Sequence, residues 1–200
     1  MRAMRVIAGR FRGAVLEAPL GTHTRPITDR VKESLFNILG HRFGSPGFLP
    51  DIAVLDLFAG SGSLGIECLS RGARSCLFVE RDRRALRVLR ANLEKLQLSE
   101  LARTVSENAW TMRIPPATRD GYGLVFVDPP YREVADPGRA LGLLERVAPR
   151  LTAEGLAVFR HDVSVKFSAA SLQSLICVDE RTFGRMRVLL LQCSSSAGPV

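Results

Sequence analysis

From residue 52 onward the chain alternates short apolar runs with amphipathic stretches, and few architectures accept that rhythm. Residues 52–59 (IAVLDLFA) are an apolar run that ends in a Gly-rich turn. Ser63 to Arg71 reads as a helix, 75–80 (SCLFVE) as a strand, and Asp82 to Leu96 as a helix with Leu86, Leu89, Leu93 and Leu96 on one face. Residues 103–108 (RTVSEN) read as a short strand and 123–128 (GLVFVD) as a strand halted by two prolines. Residues 137–150 read as a helix and 155–162 (GLAVFRHD) as another strand. Strands this apolar are covered on both faces, so the sheet is parallel with helices on either side. The rhythm then changes. Residues 174–183 and 185–192 are separated only by Gly184, too close for a helical crossover, so they pair antiparallel. The expected fold is α/β: a mostly parallel, seven-stranded, Rossmann-like sheet closed by an antiparallel C-terminal hairpin.

Ahead of that domain, residues 4–18 read as a β-hairpin turning around Gly13, with Arg10 and Arg12 alternating along a strand so that they share a face. Thr28 or Asp29 caps a helix that runs to about residue 42, with Val31, Leu35, Ile38 and Leu39 as its apolar stripe. A Pro/Gly-rich connection at 44–51 follows. The expected division is a basic N-terminal extension over 1–44, one α/β domain over 45–194, and a frayed tail over 195–200.

The chain carries a net charge of +8, and residues 1–42 hold five of those charges. A basic N-terminal extension suits a polyanionic partner. A second cluster (Arg81, Arg83, Arg84, Arg87 and Arg90) spreads over the solvent side of a helix and reads as a solvated face. No apolar run is long enough to span a bilayer, and no secretory signal opens the chain, so a cytoplasmic location is expected. Cys68, Cys76, Cys177 and Cys193 form no CxxC pair and His is scarce, so buried free thiols and no metal are expected.

Three motifs fall at the C-terminal ends of strands, where open α/β sheets bind ligands. The first runs from Asp56 through Gly60, Gly62 and Gly65, between a strand and a helix. Its glycines match the dinucleotide fingerprint, yet Asp56 would repel a pyrophosphate. A carboxylate suits instead the ammonium and sulfonium of S-adenosylmethionine. The second is Glu80, placed to accept from ribose hydroxyls of either cofactor. Asn108, after the next strand, suits an adenine edge or the cap of a short helix at 109–113, and the residues leave both open. The third is Asp128-Pro129-Pro130-Tyr131. A base amino group is a poor nucleophile because its lone pair is delocalised into the ring. Asp128 and the Pro129 carbonyl can accept its two N–H bonds and draw the nitrogen towards tetrahedral geometry, while Tyr131 stacks on a base taken out of its helix.

This last motif resembles the D/N-P-P-Y/F/W motif of amino methyltransferases, and the closing hairpin is the arrangement of the class I methyltransferases. The segment Arg25-Pro-Ile-Thr-Asp29-Arg30-Val-Lys32-Glu33-Ser-Leu-Phe-Asn37 is similar to a signature of the RsmD family. So are the hairpin RVIAGRFRG, the run VLDLFAGSGSLGIECLSRGA and the strand VFVDPPY. The resemblance covers about residues 4–192. It implies methylation of N2 of one guanine in 16S ribosomal RNA, within an assembling small subunit, by a monomer that uses S-adenosylmethionine. It also implies that Asp56, Phe58, Ala59, Gly60, Ser61, Gly62, Glu80, Arg81, Asn108 and Ala109 contact the cofactor. Asp128, Pro129, Pro130 and Tyr131 would then carry the chemistry. The basic hairpin with Arg5, Arg10 and Arg12, together with Arg25, Arg30 and Lys32, would approach RNA; an ion pair of Arg30 with Glu33 is the equal alternative for those two. The chain departs from the family pattern at Ile27, at Arg160-His161-Asp162 where a Glu-containing strand end is usual, and at Phe183-Gly184.

Other readings make different demands. A DNA adenine-N6 methyltransferase shares the third motif but wants a target-recognition insertion. A non-catalytic RNA-binding protein does not need the intact Gly loop. A nicotinamide dehydrogenase needs a substrate domain for which the chain has no room.

Overall fold

The structure is a computed structural model that describes residues 4–19, 27–117, 120–134 and 136–194. It divides into two compact units, Met1–Asn108 and Ala109–Val200. The strands of its main sheet follow the order β5-β4-β3-β6-β7-β9-β8, a seven-stranded Rossmann-like arrangement with a separate two-stranded ribbon, in accord with the sequence reading. These labels run in chain order, as follows.

In the first unit β1 (Met4–Arg5) and β2 (Val15–Leu16) form the antiparallel ribbon. Helix α1 (Asp29–Arg42) follows, then β3 (Ala53–Asp56), α2 (Ser63–Ser70), β4 (Ser75–Val79), α3 (Arg83–Lys95) and β5 (Ala102–Val105). β3, β4 and β5 pair in parallel, with Asp56 opposite Phe78 and Val79 opposite Val105. Strand β3 is buried along its whole length, as a central parallel strand must be. It ends at Asp56 rather than Ala59 because Ala59 gives its N–H to Val79 O (3.0 Å), which turns the chain out of the strand. Asp82 caps α3 by accepting from Arg84 and Ala85 N–H, and Leu86, Leu89, Leu93 and Leu96 are all buried on its inner face. Its arginines stand in solvent, as does Arg81 just before it.

Three expectations for the N-terminal segment need correction. The hairpin strands are only two residues each; residues 6–14 leave the ribbon as an arch that docks on α2. Arg10 N–H donates to Ser70 O (2.7 Å), and Ile7 and Ala8 N–H donate to the Glu67 carboxylate. The docking requires glycine at Gly9, whose φ is +79° and where a Cβ would stand 1.9 Å from Ser70 O. Arg10 and Arg12 therefore lie in a turn, not along a strand. Thr28 is the cap of α1, accepting from Val31 N–H (3.4 Å), but the buried stripe is turned: Lys32 and Phe36 are inside, while Val31 and Ile38 are half-buried. The third concerns Lys32, expected to approach RNA, whose side chain is 1% exposed.

The second unit contains β6 (Tyr122–Val127), α4 (Pro137–Val147), β7 (Leu151–Asp162), β8 (Leu175–Phe183) and β9 (Met186–Cys193). β6 pairs with β7 in parallel, and β9 runs antiparallel to both β7 and β8. The C-terminal hairpin thus falls where the sequence places it. Two bounds move. Pro149 sits in a 3-10 turn over Ala148–Arg150, so α4 stops at Val147 and β7 begins early, at Leu151. Residues 109–112 form a turn and not the short helix weighed above. Of the cysteines, Cys68 and Cys76 are buried free thiols, and burial pushes both well above the ordinary thiol range; Cys177 is exposed and Cys193 half-buried. Among the described residues no helix is long and apolar enough to cross a membrane, and no cluster of His, Cys, Asp or Glu could hold a metal ion.

Candidate active site

The first unit supplies a Gly-rich turn held from several sides. Gly60 N–H donates to Glu80 Oε2 (2.8 Å) and Gly62 N–H to Ala59 O (2.7 Å). The other oxygen of Glu80 accepts from Asp82 N–H (2.7 Å), so one side chain joins the ends of β3 and β4. The glycines differ in duty. At Gly60 (φ +55°) nothing lies within 4 Å of where a Cβ would stand, leaving the backbone open. At Gly62 and Gly65 a Cβ would stand 2.3 Å from Leu89 and from Phe78, so these two let α2 and its turn press on α3 and β4. Asp56 is buried, and its Oδ2 accepts from Gly65 N–H (3.2 Å) in the first turn of α2, where a carboxylate favours the helix dipole. Phe58 is half-buried, Ser61 buried and Arg81 exposed; Asn108 is half-buried at the end of this unit, and Ala109 buried at the start of the next.

Residues that the sequence reading did not single out hold this turn. Asn92 of α3, 1% exposed, donates to Ser61 O (3.0 Å) and Glu17 O (3.1 Å) and accepts from Glu17 N–H (2.8 Å). It therefore ties the Gly-rich turn to the chain just after β2. Met4 Sδ accepts from Ser61 Oγ at 3.4 Å. Lys32 is the correction among the expected RNA contacts. It is 1% exposed, and its ammonium donates to Arg5 O (2.6 Å) and Ser63 Oγ (3.1 Å) and lies 3.5 Å from Glu67 Oε2. Burial lowers its pKa, and Glu67 opposes that fall. A lysine so enclosed cannot meet a phosphate. Glu67, fully buried, also takes Arg71 Nε at 2.8 Å, and the Arg71 guanidinium lies over the Phe36 ring. Arg5 is exposed and paired with Asp29 (2.8 Å); Arg10, Arg12 and Arg30 are exposed. Glu33, the alternative partner of Arg30, is exposed as well. Arg25 lies outside the described residues.

In the second unit Asp128 leaves the end of β6, Pro129 is buried, and Tyr131 opens a 3-10 turn over Tyr131–Glu133. Pro130 O accepts from Glu133 N–H (2.8 Å), which fixes the chain as it passes Tyr131. Trp110 braces the same turn: its indole N–H donates to Glu133 Oε2 (2.7 Å), and the Arg139 guanidinium lies 4.4 Å over its ring. Arg146 in turn holds the carbonyls of Trp110 (2.6 Å) and Met112 (2.8 Å). Asp128 Oδ1 accepts from Arg160 Nε of β7. Burial pushes the Asp128 carboxyl above the usual carboxylate range, and the Arg160 guanidinium pulls against that rise without cancelling it. The unit thus presents an acceptor, two prolines and an aromatic ring with little freedom to move.

A family model described as Conserved hypothetical protein 95 matches residues 4–192. The chain belongs to the RsmD family. The RsmD-family protein "Ribosomal RNA small subunit methyltransferase D" of Escherichia coli K12 is 39% identical over 152 residues, which are 76% of this chain and 68% of that one. "Putative rRNA methyltransferase YlbH" of Bacillus subtilis is 40% identical over 183 residues, 90% of this chain and 94% of that one. Among solved structures, "Putative methyltransferase yhhF from Escherichia coli" superposes with a TM-score of 0.76 at 31% identity, covering 98% of this chain and all of that one.

Proposed function

We propose that this chain transfers a methyl group from S-adenosylmethionine to the exocyclic N2 amine of a guanine in 16S ribosomal RNA. The observation that carries the reading is the Asp128-to-Tyr131 unit: a carboxylate at the end of a buried strand, followed by two prolines and a braced aromatic residue. The names of the relatives support the choice of ribosomal RNA.

The residues present fit the cofactor. Gly60 leaves open backbone at the turn, and Glu80 is a half-exposed carboxylate at the adjoining strand end. Glu80 would hold ribose hydroxyls; Phe58, Ala59, Ser61, Gly62, Arg81, Asn108 and Ala109 would line the remainder, with Asp56 supplying negative charge beneath the turn. When bound, S-adenosylmethionine supplies an electrophilic methyl group on sulfur. The rest falls to the protein. Asp128 and the Pro129 carbonyl accept the two amine N–H bonds, which frees the nitrogen lone pair from the guanine ring. Tyr131 stacks on that ring, and the fixed turn would hold the nitrogen for transfer. Exposed Arg5, Arg10, Arg12 and Arg30 suit phosphate contact. The protein acts as a monomer in the cytoplasm, on a small ribosomal subunit under assembly, since the basic extension is small and a preassembled surface supplies the remaining recognition.

The test is methyl transfer from labelled S-adenosylmethionine to unmodified small subunits, free 16S RNA and DNA. Incorporation into ribosomal RNA, lost in Asp128→Ala while cofactor still binds, is the expected result. Incorporation into DNA alone overturns the RNA assignment.

A further inference from the structure

The pairing of β6 with β7 gives the strand end at Arg160-His161-Asp162 a use. Val127 lies opposite Phe159 in the parallel register, so the next residues, Asp128 and Arg160, leave the two strands side by side. Arg160 Nε donates to Asp128 Oδ1. The far side of the guanidinium is held as well: Nη1 lies 3.7 Å from the Sδ of Met186, which is buried at the start of β9. The side chain of Arg160 is 10% exposed and that of Asp128 15%. Among the described residues none donates to Oδ2 of Asp128.

We propose that Arg160 is the positioning residue of the acceptor site: by engaging Oδ1 it fixes the plane of the Asp128 carboxylate and leaves Oδ2 as the ionised acceptor for the incoming amine. The inference rests on the reading of Asp128 as that acceptor. A buried ion pair contributes little net stability compared with apolar residues of the same volume, so stability alone is a weak reason for its presence. A planar guanidinium donates in fixed directions, which a flexible ammonium does not, and directional donation is what orienting a carboxylate requires. Finally, a carboxylate largely withdrawn from water tends to take up a proton, and a protonated Asp128 would offer a hydrogen where the amine needs a lone pair. The positive charge of Arg160 opposes that uptake.

The experiment uses the full chain, labelled at the aspartate side-chain carboxyl carbons for NMR titration, as wild type, Arg160→Gln and Arg160→Lys, with Asp128→Asn to assign the resonance. In Arg160→Gln the Asp128 midpoint moves upward. The acid limb of the kcat profile for RNA methylation moves upward with it, kcat at neutral pH falls by about 100-fold, and KM for RNA is held. Arg160→Lys restores the charge but not the fork, so its midpoint returns towards wild type while part of the kcat loss remains. An Asp128 midpoint unmoved in Arg160→Gln overturns the proposal. So does a kcat lowered equally at every pH, the mark of a merely structural pair. Should Arg160→Gln not fold, Arg160→Lys decides, and identity with wild type in both titration and kcat overturns the orienting role. A wild-type chain inactive on every RNA would count against the methyltransferase reading, whereas the titration would still decide what Arg160 does to Asp128.

Discussion

Single side chains in this protein often serve two neighbours, and Glu67 is the clearest case. Its carboxylate lies with no exposed surface between Lys32 and Arg71 and also receives the Ile7 and Ala8 N–H groups of the N-terminal arch. Replacing Glu67 by Gln keeps the shape and removes the charge, leaving two cations in the interior. Loss of one partner from a buried ionic group costs about 3–5 kcal/mol; urea unfolding of Glu67→Gln should show a loss of that order, and an unchanged midpoint would deny the network its role. A sequence alone does not reveal this. The family resemblance puts Lys32 among the residues that approach RNA; only the packing of α1 on α2 shows its anion to be Glu67. Arg160 was hidden for a like reason. Its partner became visible once the register of β6 and β7 was known.

Elements were far more legible, because the rules that place them are local. The Gly-rich turn after β3, the Pro-Pro stop after β6 and the two-residue gap before β9 each mark a boundary through backbone chemistry. The arch at residues 6–14 was not legible as such, since it leaves its ribbon to satisfy Ser70 and Glu67. Two predictions belong at this scale. Asn92 joins α3, the Gly-rich turn and the segment after β2 through three hydrogen bonds. Asn92→Ala strands those backbone groups, so stability falls by about 1–3 kcal/mol, and calorimetry should show weaker S-adenosylmethionine binding; full retention of both would contradict the tie. On β7, His161 is fully buried against the rings of Phe159 (5.1 Å) and Phe167 (5.6 Å), which also touch each other (4.8 Å). Its Nδ1 lies 2.8 Å from Asp162 O, which can only accept, so Nδ1 carries the proton and Nε2 is a buried acceptor without a donor among the described residues. Burial lowers the His161 pKa; Arg187 adds to the fall, while Asp162 and Glu180 oppose it. With a folded value below the unfolded one, the unfolded chain takes the proton first. Stability is therefore intact above about pH 6.5 and falls as the pH drops through that value towards the lowered folded one. Thermal unfolding of His161→Phe should lack this acid component; an identical acid dependence in the variant would assign it elsewhere.

At the scale of the whole molecule, the seven-stranded sheet agrees with what the alternating pattern implies, and the family match covers residues 4–192. The exposed arginines of the N-terminal arch and of α1 stand on the unit that carries the Gly-rich turn. The modified atom is identified by nucleoside analysis of ribosomal RNA after reaction with labelled S-adenosylmethionine. The expected result is label in N2-methylguanosine of 16S RNA, absent when Asp128→Ala replaces the wild type. Label in N6-methyladenine, or label that survives Asp128→Ala, would contradict that reading.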